Sequence, residues 1–141
     1  MNPRWLWPLA AVCALTTAGC SSSTGLYPVR GKVLYRGEPA VGASVSFVRK
    51  GEKDPARDST SQGIVQENGS FTLAGAAGSG ALPGEYVVLI EWKEGSGKAR
   101  GRSPALNAPD RLKGRYLDPR RPLLTATVAP TSNDLPPFEL K

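Results

Sequence analysis

In residues 27–48 (YPVRGKVLYRGEPAVGASVSFV) the side chains alternate with a period of two, and this constrains the fold more than any other stretch. Val29, Gly31, Val33 and Tyr35 fall on one side of an extended segment, and Arg30, Lys32, Leu34 and Arg36 on the other. A strand places successive side chains on opposite faces, so the first set is predicted to line a core and the mostly basic second set to face water. Gly37-Glu38-Pro39-Ala40-Val41-Gly42 then supplies two glycines that tolerate positive φ and a proline without an N–H, which predicts that strand pairing stops there. A second strand follows, with Val45 and Phe47 inward and Ser44 and Ser46 outward. The 16 glycines and 13 prolines of this 141-residue chain suit short strands and turns rather than helices.

Farther along, residues 49–61 (RKGEKDPARDSTS) are polar, with charges of both signs, and read as a solvated loop. Residues 63–66 and 70–73 are short strand candidates flanking Glu67-Asn68-Gly69; Asn-Gly is a strong hairpin signal, so a tight hairpin is expected. Residues 74–82 (AGAAGSGAL) are too small to bury much and read as a flexible link. Residues 86–92 (YVVLIEW) are apolar on both faces up to Glu91, the pattern of a central strand shielded on each side. Pro83-Gly84 before them and the β-branched Val87, Val88 and Ile90 favour a strand over a buried helix. Leu124, Ala126 and Val128 alternate with Thr125 and Thr127. Phe138 and Leu140 close the fold in a short strand that Pro136 and Pro137 confine to an edge. Val33, Val45, Phe47, Val88 and Ile90 are the predicted core of two facing sheets.

These stretches carry a family resemblance. V-x-G-x-V at 29–33, followed by G-x-P-x-x-G-A-x-V-x-F at 37–47, resembles the first two strands of carboxypeptidase regulatory-like, transthyretin-like β-sandwich domains. Asn68-Gly69-Ser70-Phe71 and Pro83-Gly84-Glu85-Tyr86 fit the D/N-G-x-F and P-G-x-Y of that family. Tyr116-Leu117-Asp118-Pro119 resembles its aromatic residue before an Asp-Pro turn, which folds back onto the sandwich. The resemblance spans residues 27–141 and implies an all-β, about seven-stranded Greek-key β-sandwich, transthyretin-like or immunoglobulin-like, with no particular activity.

Residues 1–19 read as a signal peptide: Arg4 supplies a positive start, and residues 5–18 form an uncharged, mostly apolar run ending in small residues. That run has 14 residues and contains Pro8, against the ~20 apolar residues that span a bilayer, so no permanent transmembrane helix is expected. Thr17-Ala18-Gly19-Cys20 resembles a bacterial lipobox, in which small residues precede a cysteine that is lipidated and becomes the new N-terminus; Thr17 stands where leucine is usual. Residues 20–26 then read as a flexible tether and 27–141 as the domain. An ordinary secretory peptide cleaved nearby would instead leave Cys20 as a free thiol. The other cysteine, Cys13, lies in the leader, so lipidation uses the one thiol left and the domain must hold together without a disulfide. The lipobox resemblance implies a protein of the bacterial cell envelope, membrane-anchored by lipid and facing periplasm or exterior.

Residues 93–121 are set apart by charge. They hold nine basic residues (Lys93, Lys98, Arg100, Arg102, Arg111, Lys113, Arg115, Arg120, Arg121) against three acids (Glu94, Asp110, Asp118), and nine minus three equals the +6 of the whole chain. Loops this long are uncommon inside compact domains. Two readings stand. Lys98, Arg100, Arg102, Arg111, Lys113 and Arg115 contact an anionic envelope component or a protein partner, or the charge solubilises a mobile loop. Tyr116 is expected to pin this segment to the sandwich, whereas residues 95–108 show no such anchor. Nucleic acid is not expected, because the segment offers only Tyr116 for stacking on bases.

No histidine occurs in the chain, which removes the usual metal ligand and general base. Hydroxyisourate hydrolases of the transthyretin-like family use histidines, and intradiol dioxygenases on a related sandwich bind iron with two tyrosines and two histidines; neither set is here. Asp54, Asp58 and Asp110 lack the regular spacing of a calcium loop and read as solvated surface. Gly95-Ser96-Gly97-Lys98 lacks the spacing of a phosphate loop. Trp92 is expected to pack in the core rather than serve as a sugar platform. No catalytic residue, metal or cofactor is assigned. The expected function is that of a non-enzymatic, lipid-anchored envelope domain with a binding or structural role. Alternatives are an accessory subunit docking on an envelope enzyme or transporter, and an enzyme of unrecognised site.

Overall fold

The alternation of residues 29–35 becomes strand β1 (Val29–Tyr35), the axis of a five-stranded sheet in the computed structural model, which describes residues 25–51, 60–97 and 105–141. β1 buries Val29, Gly31 and Val33 on one face and exposes Arg30 and Lys32 on the other. On one side it pairs antiparallel with β2 (Glu38–Pro39) and with β5 (Ser70–Thr72). On the other it pairs parallel with β10 (Asn133–Asp134) and then β11 (Phe138–Leu140). The facing sheet has six antiparallel strands. β3 (Ser44–Arg49) lies between β4 (Thr60–Ile64) and β8 (Gly84–Glu91); β9 (Thr125–Val128) lies beyond β8; β6 (Ala74–Gly75) and β7 (Gly78–Ser79) lie beyond β4.

The architecture is an all-β sandwich, without helix among the described residues. Its described residues form eleven strands, of which β1, β3, β4, β5, β8, β9 and β11 run three residues or more. Val33, Val45, Phe47, Val88 and Ile90 are each at most 1% exposed and belong to one core. Phe47 sits among three rings, with centroids 6.3 Å from Phe71, 5.8 Å from Tyr86 and 6.4 Å from Phe138. β8 is central in its sheet, and Tyr86, Val87 and Val88 are all buried, as its two-sided apolar pattern requires.

Four expectations change. Pairing continues past Tyr35: Arg36 and Gly37 both take positive φ (53° and 85°), the geometry of a two-residue hairpin turn, and β2 then pairs back on β1. Ala40 N–H donates to Val33 C=O, so by the alternation of the ladder the nitrogen of Pro39 faces away from β1, where no donor is needed.

The Asn-Gly turn is tight, with Gln66 N–H donating to Ser70 C=O at 2.8 Å, but its arms do not form a two-stranded hairpin. β4 starts at Thr60, inside the stretch read as a loop, and joins the six-stranded sheet, whereas β5 joins β1. Gly63 permits the crossing, because a Cβ there would stand 2.6 Å from Thr72 O. Residues 74–82, read as a flexible link, instead build the β6–β7 hairpin, and Ala81 is buried and bridged to Tyr27. Small residues suit this place: a Cβ on Gly80 would collide with the Tyr27 carbonyl at 2.2 Å.

Candidate basic interface

Chain direction gives the sandwich two unlike poles. Residues 25–28 enter where β1 begins, with Tyr27 bridged to Ala81 and Pro28 C=O accepting Asn133 N–H. β1 runs seven residues, about 20 Å, to the opposite pole at Tyr35. Trp92, just past the end of β8, lies there, its ring edge-on to Tyr35 at 5.7 Å.

Residues 93–121 attach to that far pole. Lys93 and Asp110 form an isolated bridge, Arg111 N–H donates to Trp92 C=O at 2.8 Å, and Glu94 N–H donates to Pro109 C=O at 2.9 Å. Asp110 holds the base of the loop: Oδ1 accepts from Trp92 N–H at 2.9 Å and Leu112 N–H at 3.1 Å, and Oδ2 accepts from Gly114 N–H at 2.7 Å. A carboxylate filled by three backbone donors has a structural role, and among the described residues no group of three His, Cys, Asp or Glu could hold a metal. Asp54 and Asp58 lie outside the described residues.

The start of the segment has an anchor that the sequence reading did not foresee. Gly42 and Gly97 both take positive φ, and the two backbones touch: a Cβ on Gly42 would lie 2.5 Å from Gly97 N, and one on Gly97 2.8 Å from Val41 O. Its other end is pinned as expected. Tyr116 is 6% exposed, its carbonyl accepts Ile90 N–H, and its hydroxyl accepts Lys141 N–H at 3.0 Å. The Asp118-Pro119 turn closes on Asp118 Oδ1, which accepts Arg120 N–H at 2.9 Å.

Of the six basic residues singled out, Arg111, Lys113 and Arg115 come together in successive turns over residues 110–117, and all three are exposed. Lys98, Arg100 and Arg102, like Cys20 and the leader, lie outside the described residues. The Arg111 guanidinium carbon stands 3.6 Å above the Trp92 ring. Trp92 is 6% exposed and its Nε1–H donates to Val41 C=O, so it is a packed residue and also the floor on which Arg111 rests. Such a cation–π contact contributes on the order of 1 kcal/mol and holds the charged end in one place. Arg115 lies 5.9 Å from the Tyr116 ring centroid, and its Nη1 is 3.4 Å from Lys141 O.

Two positions escaped the sequence reading. Arg36, in the β1–β2 turn, lies 5.2 Å from the Tyr35 ring at the same pole, and Lys141 follows β11 there. Nothing local marks them as belonging with Arg111; only the parallel pairing of β11 with β1 brings them together. Among the described residues the ion pairs with Asp or Glu are Lys50–Glu85 at 3.3 Å and Lys93–Glu91 at 3.8 Å, so Arg36, Arg111 and Lys113 have no side-chain carboxylate partner there. Among the described residues the one shifted titration is at the entry pole, where burial pushes the Tyr86 phenol up and Arg49 partly offsets it; the hydroxyl donates to Leu82 C=O at 2.7 Å. Comparison with protein-family models, with curated proteins and with solved structures returns no match to this chain.

Proposed function

We propose that the protein is a non-enzymatic, lipid-anchored domain of the bacterial envelope, tied to a membrane through Cys20 and presenting its basic pole to an anionic partner. The transthyretin-like, carboxypeptidase regulatory-like reading, including its Greek-key connectivity, belongs to this proposal and rests on the residues quoted for it. The observation that carries the binding role is the placement of charge. Arg36, Arg111, Lys113 and Arg115 gather at the pole opposite the entry of residues 25–28, with Arg111 held on Trp92. A tether at one pole and cations at the other turns the basic end away from the anchoring bilayer, toward anionic material of the envelope. Attraction of this kind is electrostatic and weakens as salt screens it.

The test has two arms. Cys20→Ser should move the protein from the membrane fraction to the soluble fraction; an unchanged distribution removes the anchor. Replacing Arg111, Lys113 and Arg115, with Lys98, Arg100 and Arg102, by neutral residues should abolish salt-sensitive retention on an immobilised acidic polysaccharide and leave circular dichroism unchanged. Equal retention of the two proteins at low salt would mean that the charge only solubilises the loop.

A further inference from the structure

The edges of the sandwich differ in how they are closed to further pairing. β7 is two residues long and sits in a glycine-containing hairpin. β11 follows Pro136 and Pro137 and carries the exposed Glu139. β2 and β5 have two and three residues, and β2 contains Pro39. Short strands, prolines and charges keep a sheet edge from recruiting another strand. β9, four residues long, has neither charge nor proline within it: Pro122 and Pro130 bound the uncharged run 123–129 (LLTATVA), and Thr125, Thr127 and Val128 favour extended structure.

The ladder leaves this edge open. β9 pairs with β8, placing Ala126 opposite Tyr86 and Thr127 opposite Glu85. Val88 N–H donates to Leu124 C=O at 3.0 Å, while Glu85 C=O accepts Lys50 N–H on its other side at 2.9 Å. By the alternation of an antiparallel ladder, Leu124, Ala126 and Val128 direct their backbone groups to β8, and those of Thr125 and Thr127 point outward. Among the described residues no strand pairs with them. Leu123 is 56% exposed, and Thr125 and Thr127 are exposed in line with it. Arg120 and Arg121, also exposed and without a carboxylate partner among the described residues, stand at the entry to the strand.

We infer that β9 accepts an extended segment of a partner protein as an added antiparallel strand, with carboxylates at the C-terminal end of that segment beside Arg120 and Arg121. Main-chain bonds to Thr125 and Thr127 supply affinity, and the arginines supply direction. A second copy of this chain suits the edge less well, because each copy carries a formal +6 and pairing them adds like charge. The inference is independent of the lipid anchor and of the basic pole.

Amide hydrogen exchange of the full-length protein reads the edge directly. The probe is a synthetic peptide of alternating threonine and valine ending in two glutamates, compared with the same sequence reversed. The Thr125 and Thr127 amides should exchange rapidly in the protein alone and slow about tenfold or more with the first peptide. The reversed peptide should bind several-fold more weakly at low salt. Thr127→Pro removes an outward N–H and no ladder bond, and should abolish the protection at Thr125; Thr127→Lys, which leaves the backbone intact, should weaken it. Slow exchange in the free monomer would mean that the chain covers its own edge. Protection that grows with protein concentration would assign the edge to a second copy. No protection, or equal protection by both peptides, would overturn the inference as well.

Discussion

Phe47 shows how much depends on single side chains in a domain without a disulfide among its described residues. It is fully buried and touches rings from both sheets, so truncation removes contacts on each side of the sandwich at once. Phe47→Ala should cost about 3–5 kcal/mol, read as a shift of the urea midpoint, and that is a large part of the stability of a domain this size. Tyr86 carries a pH dependence with a definite sign. Its phenol titrates above the usual value because burial disfavours the anion. The folded state therefore keeps its proton more tightly than the unfolded chain does, and the resulting stability is present below about pH 10 and lost as pH rises through the folded value. Tyr86→Phe should lower stability at pH 7 by about 1 kcal/mol, for the lost bond to Leu82 C=O, and flatten the decline above pH ~10. Urea unfolding of both proteins at neutral and alkaline pH checks this, and parallel curves would contradict it.

Among the strands, the β1–β2 turn is where an element can be improved. Arg36 holds φ at 53°, which costs an ordinary side chain energy that asparagine mostly avoids, and Gly37 already follows it. Arg36→Asn should stabilise the domain by about 0.5–1 kcal/mol, measured as a higher thermal midpoint. The same turn shows what sequence reveals and what it hides. β1, β3 and β8 were legible because the period of two, or its absence in β8, records directly how many faces of a strand meet the core. Asn68-Gly69 reports only the local turn; which sheet each arm joins is decided by the approach of Thr72 to Gly63, a contact between chain segments nine residues apart. The β6–β7 hairpin was hidden for a related reason, since side-chain composition says little about backbone pairing with the distant Gln62 and Tyr27. At the candidate interface the density of Lys and Arg was plain, but not the carboxylate of Asp110 closing on Trp92, because no local pattern records that pairing.

For the molecule as a whole, charge and connectivity act along one axis: residues 25–28 enter at one pole, and Arg111, Arg36 and Lys141 gather at the other. The first and last strands among the described residues, β1 and the β10–β11 pair, lie side by side and parallel, with Val29 opposite Asn133 and Tyr35 opposite Leu140. Parallel neighbours that receive load from opposite poles are strained in shear. Their hydrogen bonds then stretch together and must fail together, whereas a ladder opened from one end loses its bonds singly. With handles at Gly25 and Lys141, single-molecule pulling should show one cooperative rupture at high force; with handles at Gly37 and Lys141, both at the far pole, rupture should come at markedly lower force, as forced unfolding follows the unfolding barrier along the pulled direction. A domain held at its entry pole and gripped at its basic pole would thus carry tension along its mechanically strongest line.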